Sequence, residues 1–478
     1  MNTFILQFKK VTPFCLTLFA LGCFALRAQA IEPAAPATVL PNGNTADGDS
    51  ALAGVTTGSF NSAFGGIALF SNGAANFNTG VGYGTLLVNT ANEITATGAG
   101  ALLSNTTGGG NTANGAFALF TNSTGDSNTA IGNRALLNNT TASGNTAVGQ
   151  ATLVANTTGA SNTVIGAAAG VSNTTGSENT AVGLNALFSN MDGSFNTAVG
   201  RAAMGGNTSG ASNTAIGWFA LAANTDGAGH TAVGYNALAT LTTGASVFAA
   251  NTAVGINALF NDTTGNGNTA VGAVALFNTT GGGNTAIGNF AGGSATTGSG
   301  NVYIGAGVLG VAGESNNTYI ANINNTSVSG GGTDSVTVDL TTGLLGHLSS
   351  SRRYKEGIKA MNSDSEALYR LKPVTYRYKK EIDRTQSPAF GLIAEEVAEV
   401  NPNLVACNSH GQVESVHYEM VNAMLLNEFL KEHRKVQELE ANALRQQKQI
   451  EALAAGLQKV SAQLEVSKPA PQTVLNNR

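Results

Sequence analysis

Ser350 stands five residues before Lys355 in the stretch Ser349-Ser350-Ser351-Arg352-Arg353-Tyr354-Lys355-Glu356. A serine hydroxyl held against an unprotonated amine is one way to make a nucleophile, the hydroxyl attacking while the amine takes its proton. His347 is a rival base, although its position also suits a polar residue at the end of a hairpin. Spacing alone is a weak signal, because serine is common in this chain and an isolated Ser-x4-Lys also suits a solvated turn.

Other chemistry finds little support. Residues 31–345 hold two basic side chains, Arg134 and Arg201, no lysine and twelve carboxylates. Paired carboxylates for polysaccharide cleavage are nearly absent there. A basic stripe for nucleic acid is missing. Asp126, Asp192, Asp226 and Asp262 are too scattered for calcium-binding turns, which need an aspartate in each. Neither a metal nor a cofactor is expected. Residues 346–478, in contrast, hold eighteen basic and sixteen acidic groups, and such a switch in composition marks a domain boundary.

Lys9 and Lys10, the apolar run Val11 to Leu26 and then Ala28-Gln29-Ala30 have the form of a secretory signal over residues 1–30. The apolar run falls short of the ~20 residues of a membrane span. The expected protein is exported, secreted or held at the cell surface, without a membrane span. Cys407 is then its only cysteine, so no disulfide forms within the chain.

After a lead-in over 31–60, a unit N-T-A-V-G-x-x-A-L-x-x-N-T-T-G-x-x begins sixteen times between Asn61 and Asn317. Eleven of the fifteen intervals are 17 residues, three are 16, and one of 21 separates His230 from Asn251. A fixed short period with Gly, Asn and Thr at set phases indicates a solenoid. Helical repeats need about 33 residues or more per unit, and the glycine density would cost about 1 kcal/mol per helical site. The fold class expected is therefore mainly β, a parallel β-solenoid (β-roll) of sixteen coils over 61–330. Each coil would hold two short strands and two turns, making a rod on the order of 75 Å long. The β-branched fourth position (Val81, Ile131, Val182, Val199) and the leucine at the ninth (Leu69, Leu102, Leu136, Leu187) are expected to form two buried ladders. Glycines at the fifth position and in T-T-G are expected to supply positive φ. The asparagines at position one suit mutual hydrogen bonding along the axis better than ligand binding. Thr97 and Asn114, where Val belongs, should mark soft coils, and the excess in Leu241 to Ala250, with Phe248, should form a loop.

Downstream, 331–348 alternates like a small β connector, 349–423 has the pattern of a compact α+β domain, and 424–467 carries a heptad. Its a positions are Phe429, Val436, Ala443, Ile450, Leu457 and Leu464, and its d positions include Leu425, Leu439, Leu453 and Val460. An apolar seam over five heptads predicts a coiled coil, followed by a frayed tail at 468–478.

Two resemblances sharpen this reading. The repeats resemble the heads of trimeric autotransporter adhesins, whose β-roll units are somewhat shorter, and those of bacterial tail-fibre-like surface proteins. That likeness implies a homotrimer, and alanines such as Ala68, Ala118, Ala186 and Ala237 are expected to form the faces between copies. No outer-membrane barrel follows, so autotransport is not implied. The blocks S-S-R-R-Y-K-E-G-I, A-L-Y-R-L-K-P-V-T-Y-R-Y, F-G-L-I-A-E-E-V, N-P-N-L-V and V-H-Y-E-M-V resemble the C-terminal intramolecular chaperone of phage endosialidase tailspikes and tail fibres. That domain, also found in myelin regulatory factor, is a self-cleaving serine peptidase. Its usual start, S-D-x-x-x-K, places the nucleophile on Ser350 and the base on Lys355, with Ser351 where Asp is usual. The resemblance implies a fibre that trimerises through this domain, cuts itself at Ser349-Ser350, and meets a cell-surface or glycan receptor. The competing expectation is an ice-binding solenoid, which outward threonines such as Thr129, Thr146, Thr180 and Thr197 would favour.

Overall fold

The computed structural model describes residues 38–242, 250–323, 335–340, 345–347, 349–408 and 410–467. The signal over 1–30, Phe248 and the tail at 468–478 lie outside these. The chain divides into two compact units, Met1–Thr326 and Ser327–Arg478.

The first unit is a parallel β-solenoid. A hairpin of β1 (Thr38–Leu40) and β2 (Asn44–Asp47) opens an 18-stranded sheet. From β2 onward every strand pairs in parallel with the next, through β3 (Ser62–Phe64) to β18 (Thr318–Ile320). Asn44 lies one period before Asn61, so the expected lead-in carries a coil of its own. Register is uniform, as in Thr180↔Thr197, Ala181↔Ala198 and Val182↔Val199. Each coil contributes one three-residue strand, not two, and turns make up most of the remainder.

The strand phase differs by one residue from expectation. The third position points inward, and Ala63, Ala130, Ala181 and Ala198 are fully buried. The β-branched fourth position points out, with Ile131 42% and Val271 38% exposed. Coil cross-section decides this: beside the leucine ladder and two asparagine ladders the third position usually holds only a methyl, and where it is larger, as in Val164 and Tyr303, a neighbouring position nine is glycine instead of leucine, Gly170 and Gly292. The alanines Ala68, Ala118, Ala186 and Ala237 are likewise inside the chain's own core and cannot lie between copies. Thr97 and Asn114 also face outward, and their strands keep register with both neighbours, so burial gives no reason for softness there.

Asparagine holds the coils together at two positions. At position one, Asn111 Oδ1 accepts the backbone N–H of Asn128 at 2.8 Å, and Asn128 Oδ1 accepts that of Asn145 at 3.0 Å. At position twelve, each Nδ2 donates to the Oδ1 one coil before: Asn122 to Asn105 at 2.7 Å, Asn139 to Asn122 at 2.8 Å, Asn156 to Asn139 at 2.8 Å. The carbonyl of Gly125, the T-T-G-type glycine, accepts from Asn111 at 2.8 Å and Asn122 at 3.0 Å and so ties the two ladders. The amides of these coils are thereby satisfied, as burial demands.

Positive φ falls where glycine was not expected to be dispensable. Gly132 needs it, at +134°, and a methyl there would run into the backbone of Gly149 in the next coil. The glycine of T-T-G does not. Leucine at position nine does adopt it, as in Leu119 (φ 51°) and Leu136 (φ 52°). The left-handed residues reverse the direction of the peptide groups: Phe117 N–H donates back to Ala99, and Leu119 N–H donates forward to Ala135. The strain is about 1–2 kcal/mol per residue, and burying a leucine side chain returns about 1.5–3 kcal/mol, so burial wins.

Both asparagine ladders break in the long coil, at His230 and at Leu241. His230 Nδ1 accepts Asn251 N–H at 3.1 Å, while His230 Nε2 and Asn224 Oδ1 are left without partners. Burial lowers the His230 pKa to about 4. One coil on, Asp262 takes an asparagine position, and burial pushes its carboxyl up to about 6. The folded chain thus holds the Asp262 proton more tightly than the unfolded chain, and stability falls as pH rises from the ordinary carboxylate range to about 6. His230 acts in the opposite sense, its contribution being lost as pH falls from 6.5 to about 4. Asp262→Asn is expected to stabilise the solenoid by up to about 3 kcal/mol above pH 7 and by nothing below pH 4. Urea melts of both proteins at pH 7.5 and pH 4 measure it, and an equal gain at both would mean the carboxyl is not the cause.

The second unit is small and mixed. β19 (Thr337–Val338) and β20 (Leu345–Gly346) pair antiparallel, as the alternating connector predicted. A 3-10 helix (Asn362–Arg370) ends ahead of Pro373, and β21 (Val374–Tyr376) pairs with β22 (Ala389–Gly391). Next come α1 (Ala394–Val400) and a hairpin of β23 (Val405–Cys407) and β24 (Val413–Val416) that the sequence pattern did not reveal. α2 (Tyr418–Val466) closes the unit. Val397, Leu404, Val421 and Met424 form its core. Beyond that core the heptad residues Phe429, Val436, Ile450, Leu457 and Leu464 are all exposed on the single chain. Among the described residues no helix is long and apolar enough to cross a membrane.

Candidate cleavage site and chaperone domain

Ser349 and Ser350 precede a 3-10 turn, Arg352–Tyr354, whose N-cap is Ser351. Ser351 Oγ accepts the backbone N–H of Arg353 at 3.4 Å and its Nε–H at 3.3 Å, while Ser351 N–H donates to Ser349 Oγ at 3.3 Å. The serine standing where Asp is usual therefore caps the turn between the two expected catalytic residues. Lys355 is its C-cap, with its N–H on the Arg352 carbonyl at 3.2 Å. Ser350 and Lys355 are both exposed, and no hydrogen bond joins them among the described residues. A lysine acts as general base only when enclosed, and one chain by itself does not enclose Lys355. His347, just after β20, is exposed too.

A buried polar cluster, not foreseen from sequence, fastens α2 to the rest of the unit. Glu428 accepts from Tyr369 OH at 2.8 Å, from Lys431 Nζ at 2.6 Å and from Ser365 Oγ. Asn427 Nδ2 donates to Ser365 Oγ at 2.7 Å. Lys431, then Ser365 and Tyr369, hold the Glu428 carboxyl down at about 2. The only advance signal was spacing: Ser365 and Tyr369 fall one turn apart, as do Glu428 and Lys431, but nothing in the sequence pairs the two elements. Tyr418 OH takes the Leu392 N–H at 3.0 Å and fixes the start of α2 beside β22. Between them opens an apolar cleft of about 610 Å³ lined by Leu368, Leu371, Pro373, Phe390, Leu392 and Leu425. Among the described residues no group of His, Cys, Asp or Glu could hold a metal ion.

Residues 350–406 match the family model described as the chaperone of endosialidase, and the match starts on Ser350 itself. No curated protein and no solved structure matches the chain. The molecule is thus a β-solenoid followed by a chaperone domain of the endosialidase type, an arrangement that supports a tail-fibre-like trimeric protein.

Proposed function

We propose that the chain is an exported, receptor-binding homotrimeric fibre whose C-terminal domain assembles three copies and then cuts itself off at Ser350. The observation that carries this is the placement of the chaperone match, 350–406, directly after a solenoid whose coils are nearly interchangeable. Identical coils let neighbouring chains slip by one rung at little cost in energy, and a C-terminal trimeriser removes that freedom by setting register first. The exposed heptad of α2 closes as a coiled coil between copies, and the outward Thr and Val/Ile columns of the solenoid form the seam. From Asn61 onward those columns bear no charged side chain. A chain ending at Gly346 is expected to be aggregated or monomeric and poorly folded. If it sediments as a folded trimer as readily as the full chain, the domain has no assembly role.

Ice binding is a second reading, favoured by one observation: Thr129, Thr146, Thr180 and Thr197 face outward in register, one per coil. Thermal hysteresis of the full-length protein tests it. Ordinary colligative freezing would exclude it.

A further inference from the structure

Position six of the coil, just past the glycine corner, is alanine in Ala99, Ala116, Ala167, Ala273 and Ala306. Five consecutive coils depart from this with Leu184, Arg201, Trp218, Tyr235 and Ile256, all exposed. Elsewhere the position holds Gly66, Tyr83, Asn133, Gln150, Asn289 and Asn322, so Tyr83 is the one aromatic outside these five coils. Stacked one per coil they make a strip, and the side chains at its centre touch. The guanidinium carbon of Arg201 lies 5.4 Å from the Trp218 ring centroid, Tyr235 meets Trp218 edge-on at 5.5 Å, and Phe219 stacks beside it at 5.7 Å. Trp218 is the chain's single tryptophan and is 44% exposed. Nothing in the coil's own packing calls for these residues, since position six lies outside the core.

We infer that this strip is a docking site for an acidic pyranose glycan. The inference rests on the receptor-binding reading above and gives that receptor a site and a chemistry. Arg201 is one of two cations between residues 31 and 345, and its guanidinium has no ion pair or hydrogen bond among the described residues. A planar fork of donors left unpaired suits a carboxylate, which it can bind through two parallel hydrogen bonds. The aromatic surface beside it offers C–H packing to sugar rings. Asn236 and Asn257 flank the strip at the next position. Size argues against a protein occupant: a strip one side chain wide and roughly 20 Å long at the spacing of β-strands falls well short of the ~800 Å² per partner of a stable protein interface. A single cation also argues against nucleic acid, whose binding scales with the number of phosphates neutralised.

Because Trp218 is the only tryptophan, intrinsic fluorescence of the full-length protein reads the site directly. Titration with oligogalacturonate and hyaluronan hexasaccharides is expected to give a saturable change with at least one of them, and neutral cellohexaose is expected to bind about tenfold more weakly or not at all. Arg201→Gln should bring the acidic sugar down to the neutral level. Trp218→Ala, followed by calorimetry, should weaken binding at least tenfold, with the sedimentation coefficient unchanged in both variants. Binding that survives Trp218→Ala would leave a glycan-binding fibre but overturn this site. Equal binding of cellohexaose would overturn the acidic assignment. No binding of either acidic sugar to a correctly assembled wild-type protein would overturn the inference while leaving the fibre reading in place.

Discussion

Replacing Ala198 by aspartate is expected to abolish the folded solenoid around its coil, whereas the same replacement one residue later, at Val199, leaves the single chain's fold nearly unchanged. Ala198 is fully buried and stacked between Ala181 and Ala215. A carboxylate there finds no donor and no space, which places the penalty at about 4 kcal/mol or more. Val199 points outward from the same strand and is half-buried, so a carboxylate there stays in reach of water and costs about 1 kcal/mol. Val199 nevertheless belongs to the proposed seam. Val199→Asp should therefore fold by circular dichroism and fail to reach the trimer by sedimentation. Equal loss of folded signal in the two variants would mean that both positions are inside. A Val199→Asp protein that trimerises normally would put the seam on another face.

The contrast between these neighbours also shows what the sequence could and could not disclose. Period, coil boundaries and the leucine ladder were legible because Leu102, Leu119 and Leu136 recur at one phase, and only the interior selects leucine so regularly. Strand phase was not legible from hydrophobicity. Valine outranks alanine on any transfer scale, yet the space beside the leucine ladder favours the smaller side chain, Val164 and Tyr303 entering where Gly170 and Gly292 replace leucine, and that space is a property of the stacked coils. The second ladder, Asn105 to Asn224, was written in the repeat as the residue before T-T-G, but its partner is the same residue one coil away, visible only when coils are stacked. In the second unit the body of α2 was legible, because the heptad over 424–467 calls for one long helix, and the structure starts it slightly earlier, at Tyr418. The β23–β24 hairpin was not, because its short strands straddle the turn-forming Asn408 and Gly411 without clear alternation. The expected dyad is legible as two residues at a set spacing, and its geometry is not. Ser350 and Lys355 lie on either side of a turn in an exposed stretch, and the proposed reaction therefore relies on other copies to bring them together and exclude water.

Self-cleavage is then expected only after assembly, and Ser350→Ala should block it completely while leaving the trimer intact. In the proposed step Ser350 Oγ attacks the Ser349 carbonyl carbon as Lys355 Nζ takes the hydroxyl proton. The C–N bond between the two residues breaks, and Lys355 returns the proton to the departing Ser350 amine. Ser349 is left joined to Ser350 through an ester, and water hydrolyses it to a Ser349 carboxylate and a free hydroxyl. No other reactant is needed. Lys355 can play the base only where enclosure disfavours its charged form, so the reaction waits on the trimer and acts as a check that folding is finished. Losing residues 350–478 removes the domain that set register, and the remaining fibre can no longer unfold and refold reversibly. Lys355→Ala should behave nearly as Ser350→Ala does. Ser351→Asp restores the residue usual at that position, keeps an N-cap for the Arg352–Tyr354 turn, and should not slow the cut. Mass spectrometry and N-terminal sequencing after purification read the outcome. A fragment beginning at Ser350 in wild type, absent from both alanine variants, supports the dyad. A wild-type trimer that stays full-length through prolonged incubation leaves the domain as a chaperone alone, and a fragment beginning elsewhere assigns the cut to a different protease.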